Sequence, residues 1–239
     1  MGTDTSAQPP LQLLSGGAAQ GLVGALQALF QVNSGRAIAG TFGAVGLMQD
    51  KLLSGTPCDV IILSEALITQ LIADGHVAAG SARPLGRVQT GIAVKAGAPR
   101  PDVRSAETLK AALQAADSIY FPDPIKATAG IHFYNKVLRA LGLEQALAPR
   151  LRPFPNGNAA MRELAASPDA HTLGCTQVTE ILYTPGVQLV APLPAGYELA
   201  TMYTAAVCSR ALQPGAAAAL VSLLSGPGAA EQRSACGFD

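Results

Sequence analysis

Three side chains, Lys126, His132 and Glu180, stand where proton transfer or pairing with a charged ligand would need them. Lys126 precedes Ala127-Thr128-Ala129-Gly130, a run that opens a helix, and reads either as a cleft lysine that pairs with a ligand carboxylate or as an ordinary solvated surface lysine. His132 falls in the first turn of the same helix, where it is either an ordinary helical surface histidine or, if it faces the cleft, a side chain suited to general acid or base work. Glu180 closes Thr176-Gln177-Val178-Thr179-Glu180. It reads as a base, as the partner that orients His132, or as an acid favoured at a helix start by the dipole alone. Tyr203, in a later strand, lines a cleft or packs in a hinge. The four cysteines, Cys58, Cys175, Cys208 and Cys236, contain no CxxC pair, and with the three histidines they give no metal-ligand spacing. They read as buried free thiols, with Cys175 at a strand end the weaker chemical candidate. No metal and no cofactor is expected.

Around these residues lie loops of small or polar side chains: Ser15-Gly16-Gly17-Ala18, Gly43-Ala44-Val45, Thr128-Ala129-Gly130, Asn156-Gly157-Asn158 and Thr176-Gln177. The first four each lead into a predicted helix. Unpaired N–H groups and the dipole at a helix N-terminus favour an anion, and small residues let it approach. Any one such loop is also ordinary turn chemistry. Four that converge would hold an anion with few charged side chains.

Scarcity of charge is a property of the whole chain. Of 239 residues, 16 are Lys or Arg and 16 are Asp or Glu, a net charge of zero. Charged residues make up 13 % of the sequence, against roughly 25 % in typical soluble domains. With 49 % hydrophobic residues, a disordered chain is excluded, and the balanced charge argues against a nucleic-acid partner. The mean hydropathy is +0.29, yet apolar stretches are short, as at 216–224, which Ser222 interrupts. A bilayer span needs about 20 apolar residues, so no membrane span is expected. Residues 1–10 show neither a basic nor an apolar leader region. The chain as written reads as cytoplasmic, or as periplasmic if a signal peptide has been removed.

The elements that position the loops follow from periodicity. Residues 11–14, 37–42 and 59–63 read as strands. Helices are expected over 18–32, where Leu22, Ala25, Leu26 and Leu29 recur at helical spacing, over 45–53, and from Ser64 to a stop at Gly75. A crossing at 85–91 leads to strand 92–95, a helix capped by Ser105 and Thr108, strand 118–121, and a helix ending at Gly142. Segments 151–154, 159–166, 172–176 and 187–191 continue the alternation. A second crossing at 192–200 leads to strand 201–207 and two closing helices. This order gives an α/β fold with parallel sheets, as two Rossmann-like lobes joined by two crossover hinges. The first lobe takes residues 1–87 and 201–239, and the second 88–200. Ligands in such sheets sit beyond the carboxyl ends of the strands, here between the lobes.

Leu13-Leu14-Ser15-Gly16-Gly17-Ala18, Phe42-Gly43-Ala44-Val45-Gly46 and Ser54-Gly55-Thr56-Pro57-Cys58-Asp59 resemble the periplasmic molybdate-binding protein family. The last resembles that family's G-x-P-x-D turn into a strand. The resemblance continues through Asp123-Pro124, Ala129-Gly130, Leu173-Gly174, Pro185-Gly186-Val187 and Cys236-Gly237-Phe238, and so covers about residues 11–238. It implies a type 2 periplasmic-binding-protein fold that closes by a hinge over its ligand. The family's site uses hydroxyls in both first-lobe loops and a tyrosine in the last second-lobe loop. This chain has Ala18, then Ala44 or Val45, and Gln177 there. Each lost hydrogen bond to a charged partner removes about 1.5–3 kcal/mol, so a larger organic anion is expected in a roomier site.

Two functions follow from resemblance. A solute-binding receptor would deliver a small anion to the subunits of an ATP-driven importer, provided that it is exported. The chain is also similar to bacterial aconitate isomerases, which interconvert trans- and cis-aconitate by an allylic proton shift. That likeness implies a cofactor-independent isomerase, in which His132 or Glu180 moves the proton while Lys126 and the helix N-termini hold the carboxylates.

Overall fold

Burial on both faces, at Leu11, Leu13, Leu14 and Ser15, goes with the place of β1 (Leu11–Gly16) between two neighbouring strands of its lobe. The computed structural model describes residues 8–239. After β1, a short 3-10 turn leads into α1 (Gln20–Ser34), then β2 (Ile38–Gly43), α2 (Val45–Leu53), β3 (Val60–Ser64) and α3 (Glu65–Ala73). Both β2 and β3 pair parallel with β1, as two successive crossover units require. Gly75, just past α3, takes φ +76°, a left-handed conformation that closes a helix without a Cβ penalty.

The chain then enters β4 (Arg83–Lys95), 13 residues long. The second lobe comprises α4 (Ala106–Ala115), β5 (Ser118–Pro122), α5 (Thr128–His132), α6 (Glu144–Leu147), β6 (Leu151–Phe154), α7 (Gly157–Ala166), β7 (Thr172–Gln177), α8 (Val178–Tyr183) and β8 (Val187–Pro192). Ser105 and Thr108 form a reciprocal capping box on α4. A π-helical segment, Phe133–Leu138, extends α5. The chain returns through β9 (Ala200–Val207) to α9 (Pro214–Ser225) and α10 (Ala230–Ala235) in the first lobe.

The sheets are mixed, not parallel as the strand–helix order predicts. β3 pairs antiparallel with β9, β9 with β4, and β4 with β7 and β8, while β5 lies parallel between β6 and β7. The strand order is β2-β1-β3-β9-β4-β7-β5-β6, with β8 also on β4. Strands that cross between lobes run against the local βαβ direction, which alternation within a lobe does not encode. Residues 85–91, expected as a crossing, lie inside β4. Up to Gln89 this strand pairs with β9, and from Thr90 onward with β7 and β8. Thr90 donates to the Leu199 carbonyl at 2.8 Å and accepts from Leu193 N at 3.0 Å, so β4 and the 193–199 segment run side by side at the junction.

Separate apolar clusters fill the two halves, one around Leu13, Ile62, Leu220 and Phe238, another around Ile92, Leu113, Phe121 and Phe133. The first is tied together by Asp59, only 1 % exposed. Its Oδ2 accepts from Gln12 N at 2.9 Å and its Oδ1 from Gln213 N at 3.0 Å, at the head of α9. The aspartate of the 54–59 motif thus joins the first strand to the returning chain. Replacing it with alanine leaves two buried N–H groups without partners, at about 1–3 kcal/mol each. Asp59→Ala is therefore expected to lower unfolding free energy by roughly 2–5 kcal/mol, measured by urea denaturation.

Candidate functional site

Between the lobes, four strand–helix loops meet around one cavity. Its walls are Gly17 after β1, Gly43, Ala44 and Val45 between β2 and α2, Ala127, Thr128 and Ala129 at the head of α5, and Asn156 and Gly157 at the head of α7. Pro122, Gln177, Glu180 and Tyr203 complete it. Among the described residues no Lys, Arg or His lines it. The cavity measures about 20 Å³, room for about one water molecule. The small side chains do not leave the roomier site expected from sequence, because the lobes close over them and the Glu180 carboxyl fills the centre.

Glu180 is 5 % exposed although it is charged in water. Thr176 Oγ1 donates to its Oε2, and backbone N–H groups of Gln177, Asn158 and Gly157 favour its ionised form. Two of these belong to the head of α7, so an internal carboxylate occupies the anion position there. Desolvation is larger than all these bonds together and raises the Glu180 pKa to about 7. Among the described residues it makes no ion pair. A Cβ at Gly157 would overlap both its Oε2 and Thr176 Oγ1, and a Cβ at Gly17 would overlap its Oε1. These two glycines, one from each lobe, are what let the carboxyl lie in the seam.

Gln177 is 3 % exposed, and neither its amide nitrogen nor its amide oxygen has a hydrogen-bond partner. A buried primary amide with an idle donor and acceptor costs stability unless something occupies the cavity beside it. Tyr203 is buried edge-on against Phe238, and burial, with a smaller contribution from the Glu180 charge, pushes its phenol up.

The lobes are clasped at two further places. Asn158 Nδ2 donates to Gln20 Oε1 at 2.7 Å and to the Gly17 carbonyl at 3.5 Å. At the rim, Gly46 N donates to the Lys126 carbonyl at 3.2 Å, and Lys126 Nζ pairs with Asp50 at 2.6 Å. Exposed pairs of this kind contribute about 0–1 kcal/mol, so the rim pair trims closure and does not drive it.

Several expected site residues lie elsewhere. Lys126 does not face the cavity, because its backbone bond to Gly46 sets the side chain on the outer rim toward Asp50. His132 donates from Nε2 to the Tyr197 carbonyl at 2.8 Å. It sits four residues beyond Thr128, a full turn further from the helix end, and neither lines the cavity nor orients Glu180. Ser15 donates to the Gly16 carbonyl at 2.9 Å and is fully buried. Gly16 gives way to Val45 and Tyr203, and Gly130 to the backbone of Pro122 and Asp123. Ala18 belongs to the first-lobe core. Thr176 and Asn158 reach the cavity only indirectly, through Glu180 and Gly17. Cys175 lies in the second-lobe core, where burial pushes its thiol up. Ala127 belongs to the 126–130 loop expected at the cleft and does line it; Pro122 and the clasp residues Gln20 and Asp50 were not expected, since their roles depend on the facing lobe.

Two α/β lobes joined by adjacent crossing strands, with a small polar cavity walled by helix N-termini, define a hinged solute-binding protein. Residues 11–239 match the family model of bacterial extracellular solute-binding proteins, and the chain belongs to that family. An aconitate isomerase from a Pseudomonas species is 28 % identical over 182 residues, covering 76 % of this chain and 67 % of that protein. The fold is shared with the periplasmic molybdate-binding protein of Azotobacter vinelandii, with a TM-score of 0.79 at 20 % identity over 96 % of this chain and 98 % of that one. It is shared also with the sulfate-binding protein SubI of Mycobacterium tuberculosis, with a TM-score of 0.74 at 18 % identity over 97 % and 86 %. The type 2 periplasmic-binding-protein fold expected from the loop motifs is the one observed.

Because the folded-state pKa of Glu180 lies above its ordinary value of 4.5, the folded protein binds the extra proton between those two values. Stability is complete below about 4.5 and falls as pH rises to about 7. Over that window the wild type is expected to lose roughly 3 kcal/mol through this group. Glu180→Gln should flatten this part of the profile when urea unfolding is followed from pH 4 to pH 8.

Proposed function

We propose that this protein binds a small organic polycarboxylate between its lobes and isomerises it by an allylic proton shift, as an aconitate isomerase-like enzyme. The observation that carries this reading is the Glu180 carboxyl, held at the cavity without a cation and with its pKa raised to about 7. A receptor that only holds anions gains nothing from a second negative group in its site. A general base does best when it titrates near the working pH.

In the proposed reaction, ionised Glu180 removes a proton from the methylene of trans-aconitate. The C–H electron pair moves into the allyl system, the double bond shifts, and charge spreads onto the neighbouring carboxylates. Glu180 returns the proton at the other end of the allyl unit, which gives cis-aconitate. The idle amide of Gln177 and the backbone N–H groups at the heads of α1, α2 and α5 hold the carboxylates as charge develops. Asn158 and Gln20 close the lobes and keep water from the carbanion. Lys126 and His132, expected as catalytic from their place in the sequence, have no part in this step.

The likeness to the Pseudomonas aconitate isomerase supports the chemistry, and the extracellular family supports a periplasmic location. The receptor reading rests on the same family and on the molybdate- and sulfate-binding structural relatives. In it, the importer's subunits would be the partners.

Proton NMR of trans-aconitate in D2O with catalytic protein decides between the two. Growth of cis-aconitate signals is expected for the wild type, and kcat/KM should rise with pH through about 7 as Glu180 ionises. Glu180→Gln is expected to lower kcat at least about 100-fold, as loss of a general base does, while trans-aconitate still raises its Tm. Wild-type spectra that stay unchanged while trans-aconitate stabilises the protein would establish a receptor. Gln177→Ala should raise KM and lower kcat together.

A further inference from the structure

Cys58 and Cys208 are distant in sequence yet touch at the back of the first lobe, where Cys208 Sγ donates to Cys58 Sγ at 3.4 Å. The backbone on both sides is fixed. Val60 opposes Val207 in the antiparallel β3–β9 ladder, and Cys208 N donates to the Asp59 carbonyl at 2.9 Å. A bonded pair of sulfurs sits at about 2.05 Å, and side-chain rotation spans most of the remaining gap. Both cysteines also line an open crevice of about 350 Å³, together with Asp59, His76 and Arg210. A small oxidant therefore has a route to thiols that are otherwise mostly covered. The crevice shares no residue with the interlobe cavity. Neither of the other cysteines competes. Cys175 is sealed in the second-lobe core, and Cys236 sits beside Gly21 and Tyr183.

We propose that Cys58 and Cys208 form an intramolecular disulfide when the protein meets a disulfide oxidant, as an extracellular protein does. One thiolate attacks the external disulfide and releases half of it as a thiolate. The second cysteine attacks the resulting mixed disulfide, forms the Sγ–Sγ bond and releases the other half. The oxidant is thereby reduced to two thiols, which take up the two protons given up by the cysteines. The bond closes a loop that contains the entire second lobe and both connecting segments. Both cysteines belong to the first lobe, so the bond does not bridge the cleft. Contact with Cys58, then burial, pushes the Cys208 thiol up, so the reaction is expected to be slow at neutral pH and faster in alkali.

The test uses the full chain, reduced and then exposed to oxidised glutathione. After denaturation and alkylation, two free cysteines, Cys175 and Cys236, are expected, with a cross-linked peptide containing Cys58 and Cys208. Tm should rise by on the order of 5–10 °C and fall back on reduction. Cys58→Ser and, independently, Cys208→Ser should retain three alkylatable thiols after oxidant and show no such shift. Four alkylatable thiols after oxidation, a stable glutathione adduct on one cysteine, or a cross-link involving Cys236 would overturn the proposal. None of these results depends on whether aconitate is a substrate.

Discussion

A carboxyl group buried without a cation sets the terms for the interlobe seam. Glu180 lies where water is nearly absent, and only Thr176 and a few backbone N–H groups offset its loss of hydration. Those donors are fixed by β7 and the head of α7, so the second lobe holds the group. The first lobe contributes Gly17, whose missing side chain leaves the space into which the carboxyl projects. Adding a cation would have pulled the pKa down and made a silent ion pair. The chain's low charge content is consistent with a site that handles anions through backbone dipoles and keeps one titratable group for itself.

Closure of such a seam depends on the strands behind it. β4 passes from the β9 ladder to the β7 and β8 ladders without a break, and the 193–199 segment accompanies it at Thr90. Each half has its own apolar cluster, so the lobes can part without opening either core. The lobes are held together across the cleft by the Asn158 amide clasp, the Gly46–Lys126 backbone bond, the exposed Lys126–Asp50 pair, and packing of α8 against α1 and the C-terminal tail, where Tyr183 lies beside Gly21 and Leu182 beside Gly237. The same fold occurs in a molybdate-binding and a sulfate-binding protein. The difference proposed for this chain lies in Glu180 and Gln177.

Much of the local structure was legible from the order of residues. Helix α2 forms over the residues expected, the Ser105–Thr108 cap is present, and Gly75 and Gly142 end helices with positive φ. These features depend on neighbours within a turn or two. The antiparallel crossing strands were not legible, because the segment 85–91 lacks the apolar run of a central strand and gains its pairing from β9, more than a hundred residues later. The site divided along the same line. Small loops at helix starts do gather around one cavity. Lys126 and His132 have suitable chemistry but point to Asp50 and to Tyr197, partners that no spacing rule brings near.

By itself the sequence determined an α/β chain of two lobes, with charge kept scarce and small residues at the helix starts, since periodicity and turn chemistry are local. It also contained Glu180, though as one candidate among three. Only the tertiary structure decided that Glu180 is the group left in the cavity. A pKa near neutrality arises from desolvation set against donors of the second lobe alone, and that desolvation depends on the first lobe covering the group at Gly17. The meeting of Cys58 and Cys208 has the same origin, since Cys58 precedes β3, Cys208 follows β9, and those two strands pair only when the chain returns.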